Sequence, residues 1–453
     1  MSPATLVMPT RVLIVGGGGR EHALAWKLAA EPGINAVWVA PGSDAIAEEP
    51  GVTWAPGIDP LDAAAIVALA RVNAIELVII GPEAPLAGGV ADALIDAGIA
   101  VFGPTMAAAR IESSKAFCRE VAAAAGVPMA AGRSFDEADR ADASEYAAAL
   151  ALDRGGAVIK ADGLAAGKGV IVCTTVAEAR AAVADTPGRI VVEERLEGPE
   201  ASLIALVDGA DMLALPFARD HKRLGDDDIG PNTGGMGAYS PLPDLPDALA
   251  GELIDRFHRP VVVELSRRGI PFIGALYAGL MLTEEGPRLL EFNARFGDPE
   301  TQVLMPRLAG PLGPVLLAAA RGRLGEAQGT LGLTTPVLPA LPTAAVGVVL
   351  ASEGYPAAPR TGDPIRGLDA ATADALVFHA GTSKAEDGGY RTAGGRVLIV
   401  VGRGPDLASA RERAERAADA IHWPGLQRRR DIAGSGAAVL GGSQSPLAVA
   451  ASG

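Results

Sequence analysis

An apolar run that opens onto four consecutive glycines constrains the fold of this chain most. Residues 11–15 form the run, residues 16–19 are glycine, and an alanine- and leucine-rich helical stretch follows. Two further apolar runs, at 36–39 and 77–80, alternate with helical stretches. Strands that alternate with helices are typical of a parallel sheet with helices on both faces. The sequence therefore predicts an α/β domain over residues 1–108.

The rest of the chain has a different order of elements. Its 453 residues predict about three domains at roughly 100–200 residues each. Residues 109–322 mix runs of strands with helices, which indicates an α+β domain. Residues 323–430 alternate short strands with one clear helix, which predicts a small mixed β/α domain. Residues 431–453 are rich in alanine, glycine and serine without a pattern, and we expect a disordered tail there.

Charge and composition exclude several classes of partner. The formal net charge is −15, which argues against a nucleic acid or an anionic membrane as partner. The most apolar stretch, 331–351, is interrupted by three prolines, so a membrane span is not expected. Cys118 and Cys173 have neither disulfide nor metal spacing, which fits a reducing cytosol. With no signal peptide recognisable in residues 1–9, we expect a cytoplasmic protein.

The glycine loop continues as Gly16-Gly17-Gly18-Gly19-Arg20-Glu21-His22. Glycines let backbone amides approach an anion at a helix N-terminus, so the loop is a candidate phosphate site. A dinucleotide fingerprint needs a third glycine three residues after the second, but Glu21 and His22 stand at those positions. An ordinary tight turn is the alternative.

Two lysines flank a second glycine-rich turn, in Lys160-Ala-Asp-Gly-Leu-Ala-Ala-Gly-Lys168-Gly169. The phosphate loop of P-loop enzymes needs four residues between its glycines and Ser or Thr after the lysine, and neither condition is met. The turn lies between two predicted strands, which indicates a β-hairpin closing over phosphates. Lys160 ends an apolar strand, where burial of its charge requires an anionic partner. The alternative is an ordinary hairpin with solvated lysines.

A carboxylate and a carboxamide, Glu291 and Asn293, end another apolar run. On a strand this spacing directs both side chains to one face. Two oxygen ligands followed by Arg295 suit a Mg²⁺ ion that carries the phosphates of a nucleotide. A strand that ends in a solvated glutamate and an asparagine turn is the alternative.

Two further segments are weaker signals. Residues 193–202 place acidic side chains at the end of a strand. Backbone groups there could bind the edge of an adenine and one carboxylate could bind a ribose; the alternative is a solvated run of charges. Residues 219–239 form a long polar loop dense in glycine, which indicates function rather than a linker. The loop contains His221, but without a Ser or Cys partner pattern triad chemistry is not supported.

Together these motifs resemble the phosphoribosylamine–glycine ligase family of the ATP-grasp superfamily, from about residue 11 to residue 431. The motifs that carry the resemblance are Arg20-Glu21-His22-Ala23, Gly81-Pro82-Glu83-Ala84-Pro85-Leu86, Ser114-Lys115-Ala116-Phe117, the Lys160–Gly169 segment, Asp220-His221-Lys222-Arg223, the 230–238 segment and Glu291-Phe292-Asn293.

The resemblance implies a fold and a reaction. The N-terminal domain would precede a central ATP-grasp domain, with residues 126–196 as a mobile lid subdomain and the 162–169 hairpin as its closing loop. ATP would phosphorylate the carboxylate of glycine, and the amine of 5-phosphoribosylamine would attack the glycyl phosphate. The products would be glycinamide ribonucleotide, ADP and phosphate, with Mg²⁺ or Mn²⁺ as the metal. A monomer or a weak homo-oligomer is expected.

The resemblance also implies residue roles. Catalytic roles fall to Lys160, Arg295 and Asp220, and metal binding to Glu291 and Asn293. The nucleotide would be bound by Lys115, Lys160, Lys168, Glu193, Leu196 and Glu200. Glycine and phosphoribosylamine would lie near Gly17, Gly18, Gly19, Arg20, Glu21, Glu83, Asp220 and Arg295.

The sequence departs from the family pattern at three positions. Ser43 replaces an asparagine in a loop expected near the sugar phosphate, Ile229 replaces a small hydroxyl residue, and Pro199 replaces an acidic residue in the hinge. Three other functions remain open: another ATP-grasp carboxylate–amine ligase, a nicotinamide-dependent oxidoreductase and a non-catalytic nucleotide-binding protein.

Overall fold

The structure is a computed structural model that describes residues 6–164 and 169–434. Residues 435–453 lie outside the described residues, and so does half of the predicted closing loop, residues 165–168, which includes Lys168. Among the described helices, none combines the length and the apolar composition needed to cross a bilayer.

The predicted N-terminal parallel sheet is confirmed. Its five strands lie in the order β3-β2-β1-β4-β5, and every pair is parallel. Strand β1 is buried on both faces after its first residue, as expected of a central strand between two helical layers. The elements are β1 (Arg11–Gly16), α1 (Gly19–Ala29), β2 (Ala36–Pro41), β3 (Val52–Trp54), α2 (Ala63–Val72), β4 (Leu77–Ile80), α3 (Glu83–Ala87), α4 (Val90–Asp96), β5 (Val101–Phe102) and α5 (Met106–Ser113).

The central region contains two antiparallel sheets, in the orders β6-β9-β7-β8 and β11-β10-β14-β15. The first sheet and two helices share a hydrophobic core of their own, built around Phe135, Ile159 and Val192. This separate core is consistent with a lid subdomain, although its mobility stays a prediction. The elements are α6 (Lys115–Ala124), β6 (Gly132–Phe135), α7 (Arg140–Asp153), β7 (Ala157–Ala161), β8 (Val170–Cys173), α8 (Val176–Asp185), β9 (Ile190–Glu194), β10 (Glu200–Asp208), β11 (Met212–Ala214), β12 (Arg219–Asp220), β13 (Gly237–Ser240), α9 (Ala250–Leu253), a π-helical segment (Ile254–His258), α10 (Arg259–Arg267), β14 (Ile273–Thr283), β15 (Gly286–Asn293), α11 (Glu300–Leu304), α12 (Gly313–Ala320) and α13 (Leu324–Thr330).

The C-terminal region has a sheet that it shares with the central region. Its order is β12-β13-β16-β21-β18, and Gly237 of β13 pairs with Val348 of β16. The interpretation of residues 219–239 as one long loop is therefore incomplete, because both ends of the segment are strands. The elements are β16 (Ala344–Ala351), β17 (Pro364–Ile365), α14 (Leu368–Thr372), β18 (Leu376–His379), β19 (Thr382–Lys384), β20 (Tyr390–Thr392), β21 (Arg396–Gly404) and α15 (Leu407–Ala420).

The chain stays packed beyond the point where a disordered tail was expected. Arg429 is 1% exposed and forms ion pairs with Asp228 at 2.5 Å and with Asp431 at 2.5 Å. Ile432 is fully buried. The prediction of disorder from residue 431 is thus wrong for residues 431–434. The local sequence could not show this, because Arg429 is also held by Asp228, which is distant along the chain.

His258 makes the stability of the fold depend on pH. The residue is fully buried, its Nε2–H donates to the carbonyl of Leu276 at 3.1 Å, and its Nδ1 has no partner in the described chain. Burial lowers the pKa of His258 to about 4. Since the unfolded chain takes up a proton near pH 6.5 and the folded chain does not, the stability contributed above pH 6.5 is lost progressively down to about pH 4.

We therefore expect acid to destabilise the wild type more than a His258→Phe variant. Between pH 7 and pH 5 the wild type should lose about 2 kcal/mol more of its unfolding free energy than the variant. Urea unfolding at pH 7 and pH 5 measures this difference. His422→Phe, at an exposed histidine, is the matched control. Equal pH dependence in wild type and His258→Phe would contradict the prediction.

Candidate active site

One large cleft of about 1490 Å³ brings most of the predicted site residues together. Residues of all three regions line it. The predicted residues among them are Gly17, Gly18, Arg20, Glu21, Glu83, Lys115, Lys160, Glu193, Leu196, Glu200, Asp220, Glu291, Asn293 and Arg295. The lysines and the carboxylate–carboxamide pair thus face one cleft, as a site that binds a nucleotide and its metal needs.

Gly19 is the exception among the described candidates. The residue does not line the cleft but starts helix α1, buried against the C-terminal sheet. A Cβ atom at this position would lie 2.7 Å from Ile399 Cδ1 and 2.9 Å from Gln302 Nε2. Gly19 is therefore required for close packing, and its assignment to substrate binding stays a prediction.

The glycine loop is closed by its own glutamate. Gly18 N–H donates to Glu21 Oε2 at 2.7 Å, and Arg20 Nε donates to Glu21 Oε1 at 2.7 Å. Glu21 fills the space opposite Gly81, where a Cβ atom would lie only 2.1 Å from Glu21 Oε1. The Glu21 carboxylate therefore accepts the Gly18 N–H at the N-terminus of α1, an amide that would otherwise bind the phosphate of a dinucleotide. The geometry thus disfavours the nicotinamide alternative.

Glu291 and Asn293 lie at the end of β15 and line the cleft together. Neither side chain has a hydrogen-bond or ion-pair partner among the described residues. Burial raises the pKa of Glu291, but Lys222, Lys160 and other nearby cations outweigh it and hold the pKa below its usual value. Glu291 is therefore ionised, and its oxygens are available to a ligand.

These two side chains fit a hard divalent cation. The described residues contain no group of three or more acidic, histidine or cysteine side chains arranged for a metal. A carboxylate and a carboxamide together supply two oxygens, which is usual for Mg²⁺ held also by water and phosphate oxygens. The donor set thus suits a metal that arrives with a nucleotide rather than one enclosed by the protein alone.

Lys160 is held by an anionic partner, as its burial required. Its Nζ lies 2.6 Å from Glu193 Oε2 and donates to the carbonyl of Leu290 at 2.8 Å. Arg119 Nη1 donates to the other Glu193 oxygen at 2.9 Å. Burial lowers the pKa of Lys160, but the carboxylate of Glu193 outweighs it and raises the pKa overall. The ammonium group is therefore charged and fixed beside the strand that carries Glu291.

Lys115 is the first residue of α6, and the base of the second glycine-rich turn contacts it. Its Nζ donates to the carbonyl of Gly163 at 2.8 Å. The Asp162 carboxylate accepts from Ala116 N–H and from the Ser114 hydroxyl, both at 3.2 Å. These contacts fix the positions of the two lysines relative to each other, since Asp162 follows β7 and Ser114 caps α6.

Asp220 lies in an acidic part of the cleft. Its carboxylate is 3.8 Å from Lys222 Nζ, and the same ammonium group pairs with Glu200. Burial raises the pKa of Asp220 to about 7, with Glu300 and Glu200 adding to the shift and Lys222 opposing it. Asp220 can therefore exchange a proton near neutral pH.

Arg295 faces two carboxylates. It lies 3.1 Å from Glu112 and 3.8 Å from Glu83, and Glu112 also accepts from Ala294 N–H at 2.7 Å. Burial lowers the pKa of Arg295, but these carboxylates raise it above its usual value. The Nε atom of Arg295 is buried without a hydrogen-bond partner in the described chain. An anionic ligand would satisfy it.

Sequence reasoning missed several residues that line the cleft. Lys222 stands inside a motif used for the resemblance, and Glu300 follows the metal pair by a few residues, so both were within reach. The others carry no local signal and come from distant elements. The missed residues are Glu112, Arg119, Lys222, Tyr277, Glu300 and Arg396.

The family departures lie mostly away from the cleft. Ile229 is 66% exposed, and Ser43 Oγ accepts from Ile46 N–H at 3.3 Å within its own loop. Neither residue lines the cleft, whereas Pro199 does.

Comparison with known proteins gives a consistent picture. The phosphoribosylglycinamide synthetase family matches in three parts: its N domain at residues 10–112, its ATP-grasp (A) domain at residues 113–301 and its C domain at residues 345–435. A phosphoribosylamine–glycine ligase of Streptomyces coelicolor is 51% identical over 431 residues, which are 94% of this chain and 99% of the relative. One from Escherichia coli is 45% identical, covering 93% of this chain and 97% of the relative.

Solved structures also resemble this chain. The crystal structure of a phosphoribosylamine–glycine ligase from Thermotoga maritima has a TM-score of 0.75 at 32% identity, covering 93% of this chain and 100% of that chain. A biotin carboxylase from Campylobacter jejuni has a TM-score of 0.67 at 14% identity, covering 95% of each chain. The second likeness shows the shared fold alone.

Proposed function

The chain belongs to the phosphoribosylglycinamide synthetase family, and we infer that it is the ATP-dependent ligase that joins glycine to 5-phosphoribosylamine in purine biosynthesis. The carboxylate of glycine attacks the γ-phosphorus of ATP, and the bond to ADP breaks. The amine of phosphoribosylamine then attacks the carbonyl carbon of the glycyl phosphate, and phosphate leaves. Glycinamide ribonucleotide is formed, and the amine loses a proton. The observation that carries this function is the single cleft shared by Lys160, Lys115, Glu291 and Asn293.

The first step requires that anionic groups approach one another. Glycine carboxylate and triphosphate repel, so fixed positive charge at the reacting oxygens lowers the barrier. We assign this role to Lys115, Lys160 and Arg295. Lys160 is suited to it because Glu193 and the Leu290 carbonyl already fix its ammonium group.

ATP-grasp enzymes use a divalent metal, and we propose that Glu291 and Asn293 hold it, as Mg²⁺ or Mn²⁺. When bound, such an ion neutralises phosphate charge and orients the nucleotide. Removal of metal by a chelator, followed by titration with each ion, would show which one restores turnover at the lower concentration.

The remaining assignments concern the nucleotide and the amine. We propose that Glu193 and Leu196 present backbone groups to adenine and that Glu200 holds the ribose, with Lys168 contributing from the closing loop. Gly17, Gly18, Arg20, Glu21 and Glu83 line the part of the cleft proposed for phosphoribosylamine. Asp220, with its pKa of about 7, is the proposed acceptor of the proton that the amine loses.

Formation of ADP from ATP, glycine and freshly prepared phosphoribosylamine tests the function, with mass spectrometry identifying the product. Omission of each substrate in turn is the control. If ADP forms only with a different carboxylic acid or amine, the chain is another carboxylate–amine ligase. We also propose that the protein is cytoplasmic and that it is a monomer or a weak homo-oligomer. Light scattering after gel filtration would test the oligomeric state.

A further inference from the structure

Arg119 is a buried cation in the cleft to which the proposed function gives no role. It belongs to helix α6, one turn after Lys115, so both side chains lie on the face of the helix that lines the cleft. Its side chain is 15% exposed, and each of its three nitrogen atoms donates to the protein. A guanidinium group held in this way is suited to position its partners rather than to bind a substrate.

Two of the three hydrogen bonds fix the guanidinium group relative to the backbone. Arg119 Nε donates to the carbonyl of Gly132 at 2.9 Å, and Nη2 donates to the carbonyl of Ala130 at 3.0 Å. Both carbonyls lie where the chain passes from α6 into β6, a strand of the lid subdomain. The planar group cannot rotate without losing one of these bonds. The backbone therefore sets the direction of the third N–H.

The third hydrogen bond orients a carboxylate that Arg119 shares with Lys160. Arg119 Nη1 donates to Glu193 Oε1 at 2.9 Å, and Lys160 Nζ lies 2.6 Å from Glu193 Oε2. The strand register places Glu193 opposite Gly132 of β6 and Val158 of β7. A Cβ atom at Gly132 would lie 2.7 Å from Glu193 Cγ, so the glutamate side chain has little space to move there. Arg119 thus determines how the carboxylate faces Lys160.

The charges of the three groups give Arg119 a second effect. The side chains of Arg119, Glu193 and Lys160 are all at most 15% exposed, so water screens their charges little. Two cations and one carboxylate leave one positive charge in excess. Without Arg119, the pair of Lys160 and Glu193 would be neutral, and the carboxylate would draw the ammonium group away from an anionic ligand. Arg119 therefore keeps the charge of Lys160 available to phosphate groups.

We propose that Arg119 is a positioning residue for phosphoryl transfer, which holds the Glu193 carboxylate so that the Lys160 ammonium group stays beside the Leu290 carbonyl and faces the reacting phosphates. The inference rests on the proposed function, which assigns Lys160 to those phosphates. It adds a residue that contacts no ligand itself and acts on the reaction only through Glu193.

Steady-state kinetics of Arg119→Met and Arg119→Lys provide the first measurement. Arg119→Met should lower kcat by about 30-fold and leave KM for glycine unchanged, because the Lys160 charge remains but is no longer preorganised. Arg119→Lys keeps a cation for Glu193 and should keep kcat within about 5-fold of the wild type, since only hydrogen bonds are lost. Arg180→Met is the matched control, because Arg180 is an exposed arginine of the lid subdomain that pairs with Glu145 away from the cleft.

A double-mutant cycle with Glu193→Gln separates positioning from a merely structural role. If Arg119 acts through the Glu193 carboxylate, Arg119→Met should lower kcat no further once that carboxylate is replaced by a carboxamide. A role only in the packing of the lid subdomain would lower kcat by the same factor in both backgrounds, which would overturn the inference. Circular dichroism and the Tm of each variant establish that it is folded. Should Arg119→Met not fold, the same cycle with Arg119→Lys decides.

The outcomes separate this inference from the proposed function. If the wild type makes glycinamide ribonucleotide and Arg119→Met keeps the wild-type kcat, the inference is overturned and the function stands. If Arg119→Met instead raises KM for ATP at unchanged kcat, Arg119 binds the nucleotide directly and the inference is again overturned. If the wild type does not turn over glycine at all, the proposed function fails and the inference fails with it.

Discussion

Replacement of Glu291 by alanine is expected to lower kcat by about 1000-fold, because loss of an oxygen ligand displaces the metal and removes about 4 kcal/mol of transition-state stabilisation. Glu291 has no hydrogen-bond or ion-pair partner among the described residues, so its removal breaks no such contact of the apo fold. The Tm should therefore stay near that of the wild type. Steady-state ADP formation and a thermal melt measure the two effects.

Two further variants sharpen the Glu291 experiment. Asn293→Asp keeps an oxygen ligand and should retain far more activity than Asn293→Ala, whereas Glu284→Ala should behave as wild type. Raised metal concentration should partly rescue Glu291→Gln, since a carboxamide still offers one oxygen. Near-normal turnover by Glu291→Ala would refute the metal role.

Replacement of Lys160 by methionine is the second large expected effect, with kcat lowered by about 100- to 1000-fold through the loss of a preorganised cation. Methionine preserves much of the side-chain volume but cannot donate to the Leu290 carbonyl or pair with Glu193. Arg119 still pairs with Glu193, so the carboxylate is not left without a cation. The variant should fold while losing phosphoryl transfer.

Lys384→Met is the matched control for this experiment. Lys384 is an exposed lysine that also pairs with a glutamate, Glu48, but it does not line the cleft. Its substitution should leave kcat and KM for ATP unchanged. If Lys160→Met matched Lys384→Met in rate, the assignment of Lys160 to the reacting phosphates would be wrong.

Local sequence patterns were sufficient to predict the N-terminal sheet and the pair of side chains, Glu291 and Asn293, at the centre of the site. The alternation of apolar runs and helices predicted the parallel N-terminal sheet because strand and helix periods are set by neighbouring residues. The spacing of Glu291 and Asn293 placed both side chains on one face for the same reason. The resemblance to a known family then supplied roles that no spacing contains.

The sequence could not show which side chains are brought together by the pairing of strands. Glu193 meets Lys160 because β7 and β9 are adjacent, with Val158 opposite Glu193, and nothing local to either strand specifies that register. Arg119 joins them from helix α6. The packing role of Gly19 was also not predictable, because a glycine required for packing looks the same in sequence as one that cradles a ligand.

The sheet shared by the central and C-terminal regions limits how enzymes of this architecture can be recombined. Strand β12 carries Asp220, and its neighbour β13 aligns Gly237–Ser240 with residues 345–348 of β16. A hybrid whose breakpoint falls between these strands must reproduce that register, or the edge that presents Asp220 loses its support. Crossovers in the 331–343 segment alone are therefore insufficient; a viable chimera has to exchange residues 219–240 together with the C-terminal region.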